Sequence, residues 1–188
     1  MNEIAWRKVA SSVQEGNQCL VFVHARNDTV RTAQDFLRMM REEGKDFSAK
    51  DECETWDIEA KKVAGSRNAE MKELFLSGLG MHHAGMLRAD RLLMERNFEK
   101  GLVKILVSTS TLAWGVNLPA HTVVIKGTQI YDSKAGGFVE MSMQDVHQCF
   151  GRAGRPQYDT SGEGIIITKH EKLAHYLKLL NTGLPIES

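Results

Sequence analysis

Proline, cysteine and aromatic residues are scarce in this chain: three prolines, three cysteines and 7% aromatics among 188 residues. So little proline, without a repeating glycine triplet, excludes a collagen-like or Pro-rich disordered chain. Cys19, Cys53 and Cys149 form an odd set with no C-x-x-C pair, which argues against a disulfide framework or a zinc ribbon, and they are expected as buried thiols. An excess of either charge is absent too, since 24 Lys+Arg offset 24 Asp+Glu. No overall basic field advertises a polyanion, so any nucleic-acid contact must come from a local arrangement of groups. Apolar runs such as residues 19–23 and 165–167 fall far short of the roughly 20 residues that cross a bilayer. Residues 1–6 lack the basic start, apolar stretch and small-residue cleavage site of a secretory signal. The expected setting is therefore intracellular, with no membrane partner.

What is present, 42% hydrophobic and 26% charged residues, suffices for one sizeable core, and residues 1–188 read as a single domain. Segments of two periodicities alternate along it. Residues 18–24 form a continuous apolar run bounded by turn formers, the pattern of a strand buried on both faces. Residues 104–108, 121–126 and 163–168 read as further strands, and 79–83 as extended. Helical spacing marks 30–40, with a cap at Asn27 or Asp28, and then 69–76, 88–98, 142–152 and 170–180. In the third of these, Leu92, Leu93 and Phe98 are the candidates for the packed side. Residues 45–68 are polar and charged, and are expected as an insertion carrying a surface helix. Strands alternating with helices imply an α/β fold of three layers around a mainly parallel sheet. Such sheets bind ligands beyond the carboxyl ends of their strands, here residues 23–26, 80–86, 107–119 and 148–156.

Several common chemistries are missing. No G-x-x-x-x-G-K-[ST] cradles a phosphate, because Gly44-Lys45 runs on into Asp46. Asp51-Glu52-Cys53-Glu54 lies in the polar segment and follows no apolar strand, so it is a poor acidic box for Mg²⁺. Seven histidines supply no H-x-x-x-H, and adjacent His82 and His83 would point to opposite sides of a strand. The chain alone is not expected to hold a metal. No G-x-S-x-G elbow positions a nucleophile.

Gln148, Arg152 and Arg155 are separated by four and three residues, so a continuing helix would place all three along one stripe. Pro156 disfavours the α conformation at Arg155, leaving that arginine at the helix end. One amide and two guanidiniums suit a polyphosphate, and an arginine facing a γ-phosphate is worth about 10³–10⁵ in rate. Taken alone, two arginines also describe a solvated basic helix end. The helix 88–98 interleaves Arg88, Arg91, Arg96 and Lys100 with Asp90, Glu95 and Glu99, the pattern of an ordinary solvated face.

The context Gln148-Cys149-Phe150-Gly151-Arg152-Ala153-Gly154-Arg155-Pro156 resembles motif VI of superfamily 2 nucleic-acid helicases. Residues 108–120, Ser108-Thr109-Ser110-Thr111-Leu112-Ala113-Trp114-Gly115-Val116-Asn117-Leu118-Pro119-Ala120, resemble their motif V in the form typical of the superkiller-like DExH branch. Gly80-Met81-His82-His83-Ala84-Gly85-Met86 is similar to that branch's motif IVa, and Phe22-Val23-His24-Ala25-Arg26 to its motif IV. The four occur in the branch's order, and the likeness runs from about residue 18 to the end, closest to the large two-cassette members.

The resemblance implies a RecA-like, P-loop NTPase-like fold: the second such domain, or helicase C-terminal domain, of an ATP-dependent 3′–5′ helicase. By the family's pattern Gln148, Arg152 and Arg155 face the ATP phosphates, Arg155 as the main finger, with Gly115 and Asn117 bordering the nucleotide. Thr109, Arg26, His83 and Gly85 match the strand-gripping positions. The implied partners are an upstream RecA-like domain of the same polypeptide, single-stranded DNA or RNA, and a multi-subunit complex. The ligands for the Mg²⁺ that accompanies ATP are expected on the upstream domain, so the isolated chain is expected to be inactive. A nuclear setting with a role in DNA repair is also implied. The alternative is a non-catalytic interaction module that keeps the RecA-like shape.

Overall fold

The structure is a computed structural model that describes residues 1–110, 112, 118–152 and 162–168. In chain order its elements are α1 (Asn2–Gln14), β1 (Cys19–Val23), α2 (Arg26–Glu42), α3 (Trp56–Ala64), α4 (Ala69–Leu76), β2 (Leu79–His82) and α5 (Arg88–Glu99). They continue with β3 (Ile105–Thr109), β4 (Thr122–Lys126), β5 (Gln129–Asp132), β6 (Gly137–Glu140), α6 (Met143–Phe150) and β7 (Glu163–Ile167). The main sheet has the order β2-β3-β1-β4-β7 and every neighbouring pair is parallel. β5 and β6 form a separate antiparallel hairpin.

The apolar runs explain this order. All five residues of β1 are buried, as are the first four of β3 and of β4, so the central strands are covered on both faces. A parallel sheet requires such burial, because its crossover helices lie against the sheet. Gln18 fixes the entry to β1: its Nε2–H₂ donates to the carbonyls of Phe98 at 2.6 Å and Val103 at 2.9 Å. One side chain thereby stitches the α5–β3 turn to the neighbouring strand.

The expected strands and the helices before residue 150 are found, with ends shifted by a few residues. α2 starts earlier than expected, at Arg26, with Ala25 rather than Asn27 or Asp28 at its cap position. On α5, Met94, Asn97 and Phe98 are buried while Leu92 is 48% exposed, so the packed side lies one position further round than Leu92. α1 was not expected, although Ala5, Trp6, Val9 and Ala10 form its buried stripe. The polar segment 45–68 holds α3, which is more than a surface helix. Trp56 stacks on Phe75 with ring centroids 5.9 Å apart, and Val63 is buried. Glu59 on the same helix is buried between Lys62 at 3.1 Å and Lys100 at 3.0 Å. Burial works against its charge, and the two lysine bonds overcome that and hold the carboxyl below its usual range. Of the thiols, Cys19 and Cys149 are buried as expected, whereas Cys53 is partly exposed beside Thr55. The expected helix 170–180 lies outside the described residues.

Gly78 before β2 combines two constraints. Its φ is +79°, and a Cβ there would stand 2.1 Å from the carbonyl oxygen of Phe47. Gly44, with φ +66°, has open space around the same position. Gly44→Ala is expected to cost about 1 kcal/mol, the left-handed penalty alone. Gly78→Ala adds a displacement of backbone and is expected to cost about 3 kcal/mol or more. Urea midpoints of the two variants check this; equal losses would contradict the close approach to Phe47.

Candidate nucleic-acid interface

The parallel registers bring the strand ends together at one edge. Val23 lies opposite Thr109, His82 opposite Ser108 and Lys126 opposite Ile167. Arg26 opens α2 directly after β1 and is exposed, its carbonyl accepting from the Thr29 hydroxyl at 2.6 Å. After β2 the chain turns sharply, Met86 N–H donating to the His83 carbonyl at 3.2 Å. Gly85 N–H donates to His83 Nδ1 at 3.1 Å, which makes Nδ1 the acceptor and leaves the imidazole proton on Nε2. A Cβ on Gly85 would stand 3.1 Å from that nitrogen and 3.4 Å from Arg26 Cδ. Arg26, His83 and Gly85, expected to act together, therefore meet at one point. Burial first, and then the Arg26 guanidinium, lower the His83 pKa, so a neutral ring with one N–H faces outward beside a fixed positive charge. A guanidinium and an imidazole N–H, packed about a glycine that leaves no room for a side chain, suit phosphodiester oxygens rather than base edges.

His82 takes the other direction, as its place in a strand requires. It is buried, with Nε2 2.9 Å from Glu95 Oε1 on α5. Burial lowers its pKa against the opposing pull of Glu95. Among the described residues no three His, Cys, Asp or Glu side chains are grouped so as to hold a metal ion.

The second group of expected residues surrounds α6. A capping box between Ser142 and Asp145 starts this helix, and Val146 and Cys149 bury one side of it. Phe150 lies on Gly164 of β7, where a Cβ would come within 2.9 Å of the ring. Gln148 is half-buried on α6. The helix ends at Phe150, two residues earlier than expected, so Arg152 stands on the turn that follows instead of in a helical stripe with Gln148. The Arg152 carbonyl accepts from Ala120 N–H at 2.8 Å. That bond ties the end of segment 108–120 to the start of segment 148–156, two stretches far apart in sequence. Gly115, Asn117 and Arg155 lie outside the described residues.

Two features were missed by sequence reasoning. A cleft of about 250 Å³ opens where β1 and β4 part, lined by His24, Asp28, Lys126, Thr128, Phe138 and Glu140 among others. His24 Nε2–H donates to the Gly127 carbonyl there. Lys126 Nζ donates to Asn2 Oδ1 and Thr32 Oγ1, each at 2.7 Å, and burial lowers its pKa. Beside the cleft, β5 and β6 present Tyr131 and Phe138 edge-to-face at 5.7 Å, 64% and 72% exposed. The alternation around Asp132-Ser133-Lys134-Ala135-Gly136 carried a hairpin signal, in four-residue strands shorter than those sought.

His24 and His82 predict a pH dependence. Burial lowers both pKa values from their ordinary 6.5. As pH falls through 6.5 the unfolded chain takes up protons that the folded chain refuses, so stability falls on acidification until the folded-state pKa is reached. Urea unfolding between pH 7.5 and 5.5 is expected to lose up to about 1.4 kcal/mol per pH unit for each histidine, with a shallower slope in His24→Gln. A stability that rises over this range would contradict buried neutral rings.

Comparison with known proteins identifies the family. Residues 53–157 match the family described as helicase conserved C-terminal domain. The chain is 56% identical over 189 residues to DExH-box ATP-dependent RNA helicase DExH14 of Arabidopsis thaliana, covering 100% of this chain and 9% of that protein. It is 53% identical to activating signal cointegrator 1 complex subunit 3 of Danio rerio, covering 100% of this chain and 12% of the relative. It is likewise 53% identical to the Homo sapiens protein of that name, covering 100% of this chain and 9% of the relative. The chain thus spans about a tenth of the length of these curated relatives. With its parallel five-stranded sheet, flanking helices and loops gathered at the strands' carboxyl ends, the chain belongs to the helicase conserved C-terminal domain family, as a RecA-like domain of the DExH superfamily 2 type.

Proposed function

We propose that this chain is the C-terminal motor half of an ATP-dependent helicase that moves 3′ to 5′ along a single strand. The observation that carries the reading is the meeting of Arg26, His83 and Gly85 at the carboxyl edge of the sheet, where a strand's phosphates can be held without reference to sequence. Thr109 ends β3 at the same edge and adds a hydroxyl. The name RNA helicase carried by the plant relative favours RNA as the strand. The name complex subunit carried by the animal relatives supports membership of a multi-subunit assembly.

The nucleotide side of this reading rests on the Ala120–Arg152 bond, which couples the strand-gripping loop to the segment bearing Gln148, Arg152 and Arg155. The amide of Gln148 on α6, the guanidinium of Arg152 on the turn after it and that of Arg155 suit the oxygens of ATP held on an upstream RecA-like domain, with Arg155 as the main finger and Gly115 and Asn117 at the nucleotide's border. In this reading the ligands for the Mg²⁺ that accompanies ATP belong to the upstream domain. Arginines supplied to a γ-phosphate across a cleft stabilise charge only when the two lobes close, and hydrolysis then releases them. A strand held at the carboxyl edge shifts with each cycle. The exposed Tyr131–Phe138 pair on its hairpin provides a stacking surface for bases leaving that edge. By itself the chain is expected to show no meaningful ATPase activity.

Arg155→Ala in the full-length parent tests the motor reading. Nucleic-acid-stimulated ATPase is expected to fall at least about a hundredfold, in keeping with finger magnitudes. Unchanged turnover would favour a non-catalytic interaction module.

A further inference from the structure

The interleaved charges of α5 do not pair along its surface. Asp90 is 5% exposed and its carboxylate accepts from the Ser66 hydroxyl at 2.7 Å. Glu95 is engaged by His82 at 2.9 Å. Asp90 and Glu95 are thus directed to partners on the inner side of the helix while Glu99 stays exposed, and neither Arg88 nor Arg91 forms an ion pair among the described residues. The Ser66–Asp90 bond also draws the α3–α4 connection, and with it exposed Arg67, beside the first turn of α5. The paired arginines of α2 make the contrast: Arg31 with Asp28 at 3.9 Å, Arg38 with Glu42 at 3.0 Å and Arg41 with Glu73 at 3.4 Å.

This patch is costly for the bare protein. Arg88 is the first residue of α5, whose cap Leu87 supplies no side-chain bond, so Arg88 stands exposed at the positive end of the helix dipole while Asp90, the acid of the first turn, is buried against Ser66. Leu87 itself is 66% exposed. The patch continues directly from the Gly85 turn, with Arg26, also unpaired among the described residues, on its other side. A polyanion laid across the patch would relieve both the like-charge repulsion and the dipole.

We propose that Arg67, Arg88 and Arg91, with Leu87 between them and Gly85, form a second track for nucleic-acid phosphates that extends the strand's path beyond the Arg26–His83–Gly85 grip. Each guanidinium takes a phosphodiester oxygen, and Leu87 offers apolar contact to a sugar or base. The proposal rests on the strand-binding reading of the carboxyl edge and lengthens the bound segment past β2, the outer strand of the sheet.

The test uses the full-length parent and single-stranded RNA of graded length, with apparent affinity read from ATPase stimulation at several salt concentrations. The double variant Arg67→Ala/Arg88→Ala is expected to bind long strands about tenfold more weakly and to flatten the salt dependence by roughly 0.7 in log–log slope per lost phosphate contact. The shortest stimulating strands, which cover only the grip, are expected to keep wild-type affinity. Arg67→Lys/Arg88→Lys keeps both charges and is expected to restore the slope. Wild-type slope and length dependence in the alanine variant would overturn the track, as would an equal loss at every length. Loss of subunit association with strand binding intact would give the patch to a protein partner and overturn it as well. Arg26→Ala separates the two levels: weaker binding at every length upholds the grip, and no change there refutes the underlying reading whatever the rim variants do.

Discussion

The pairing of β1 with β3 on one side and β4 on the other is the constraint from which the site follows. Cys19–Val23 is parallel to both neighbours and in register, so the loops after these strands leave the sheet at one level. Only a strand buried on both faces can hold this position, which is why five consecutive apolar residues fill it. Arg26, the His83–Gly85 turn and Thr109 come from three distant parts of the sequence, and their proximity depends on this register. A shift of one residue in β1 would reverse every side chain of the strand and move the start of α2 with it.

The edge so formed divides its histidines by burial. His82 is buried and bonded to Glu95, while His24, at the cleft, is spent on the Gly127 carbonyl; burial lowers the pKa of both. His83 is partly exposed, as His24 is, with its tautomer set by Gly85 N–H. The loop after β2 is thus anchored from beneath by one imidazole and reaches the surface through the next. His82 is the last residue of β2 and His83 the first beyond it, so only the former is held against the core by the sheet. On α5 likewise Asp90 and Glu95 turn to inner partners while Arg88 and Arg96 stay exposed.

Much of the architecture was legible because the central strands are continuous apolar runs and the loops after them are rich in glycine, histidine and arginine. Arg26, His83 and Gly85 could be singled out from motif likeness, and their meeting needed only the topology. Other elements were less readable. α1 carries an adequate stripe in Ala5, Trp6, Val9 and Ala10 that went unread. α3 is polar over most of its surface, and only the stacking of Trp56 on Phe75 reveals that its inner side joins the core. The hairpin strands are four residues long and half-exposed, so their alternation is hard to tell from loop. The charge pattern of α5 is one-dimensional and shows only part of the arrangement: Arg88, Arg96, Glu99 and Lys100 are exposed as a solvated face requires, while Asp90 and Glu95 find tertiary partners in Ser66 and His82 that spacing does not reveal.

The central claim is that a single nucleic-acid strand lies across the carboxyl edge of this sheet. Photo-crosslinking of single-stranded RNA carrying a photoreactive base to the full-length parent, with peptide mapping of the adducts, tests it most directly. Adducts are expected in residues 24–28, 82–88 and 129–140, with Tyr131 and Phe138 among the modified side chains. Adducts confined to the opposite edge, around Gly16, Asn17 and Gly101, would contradict it.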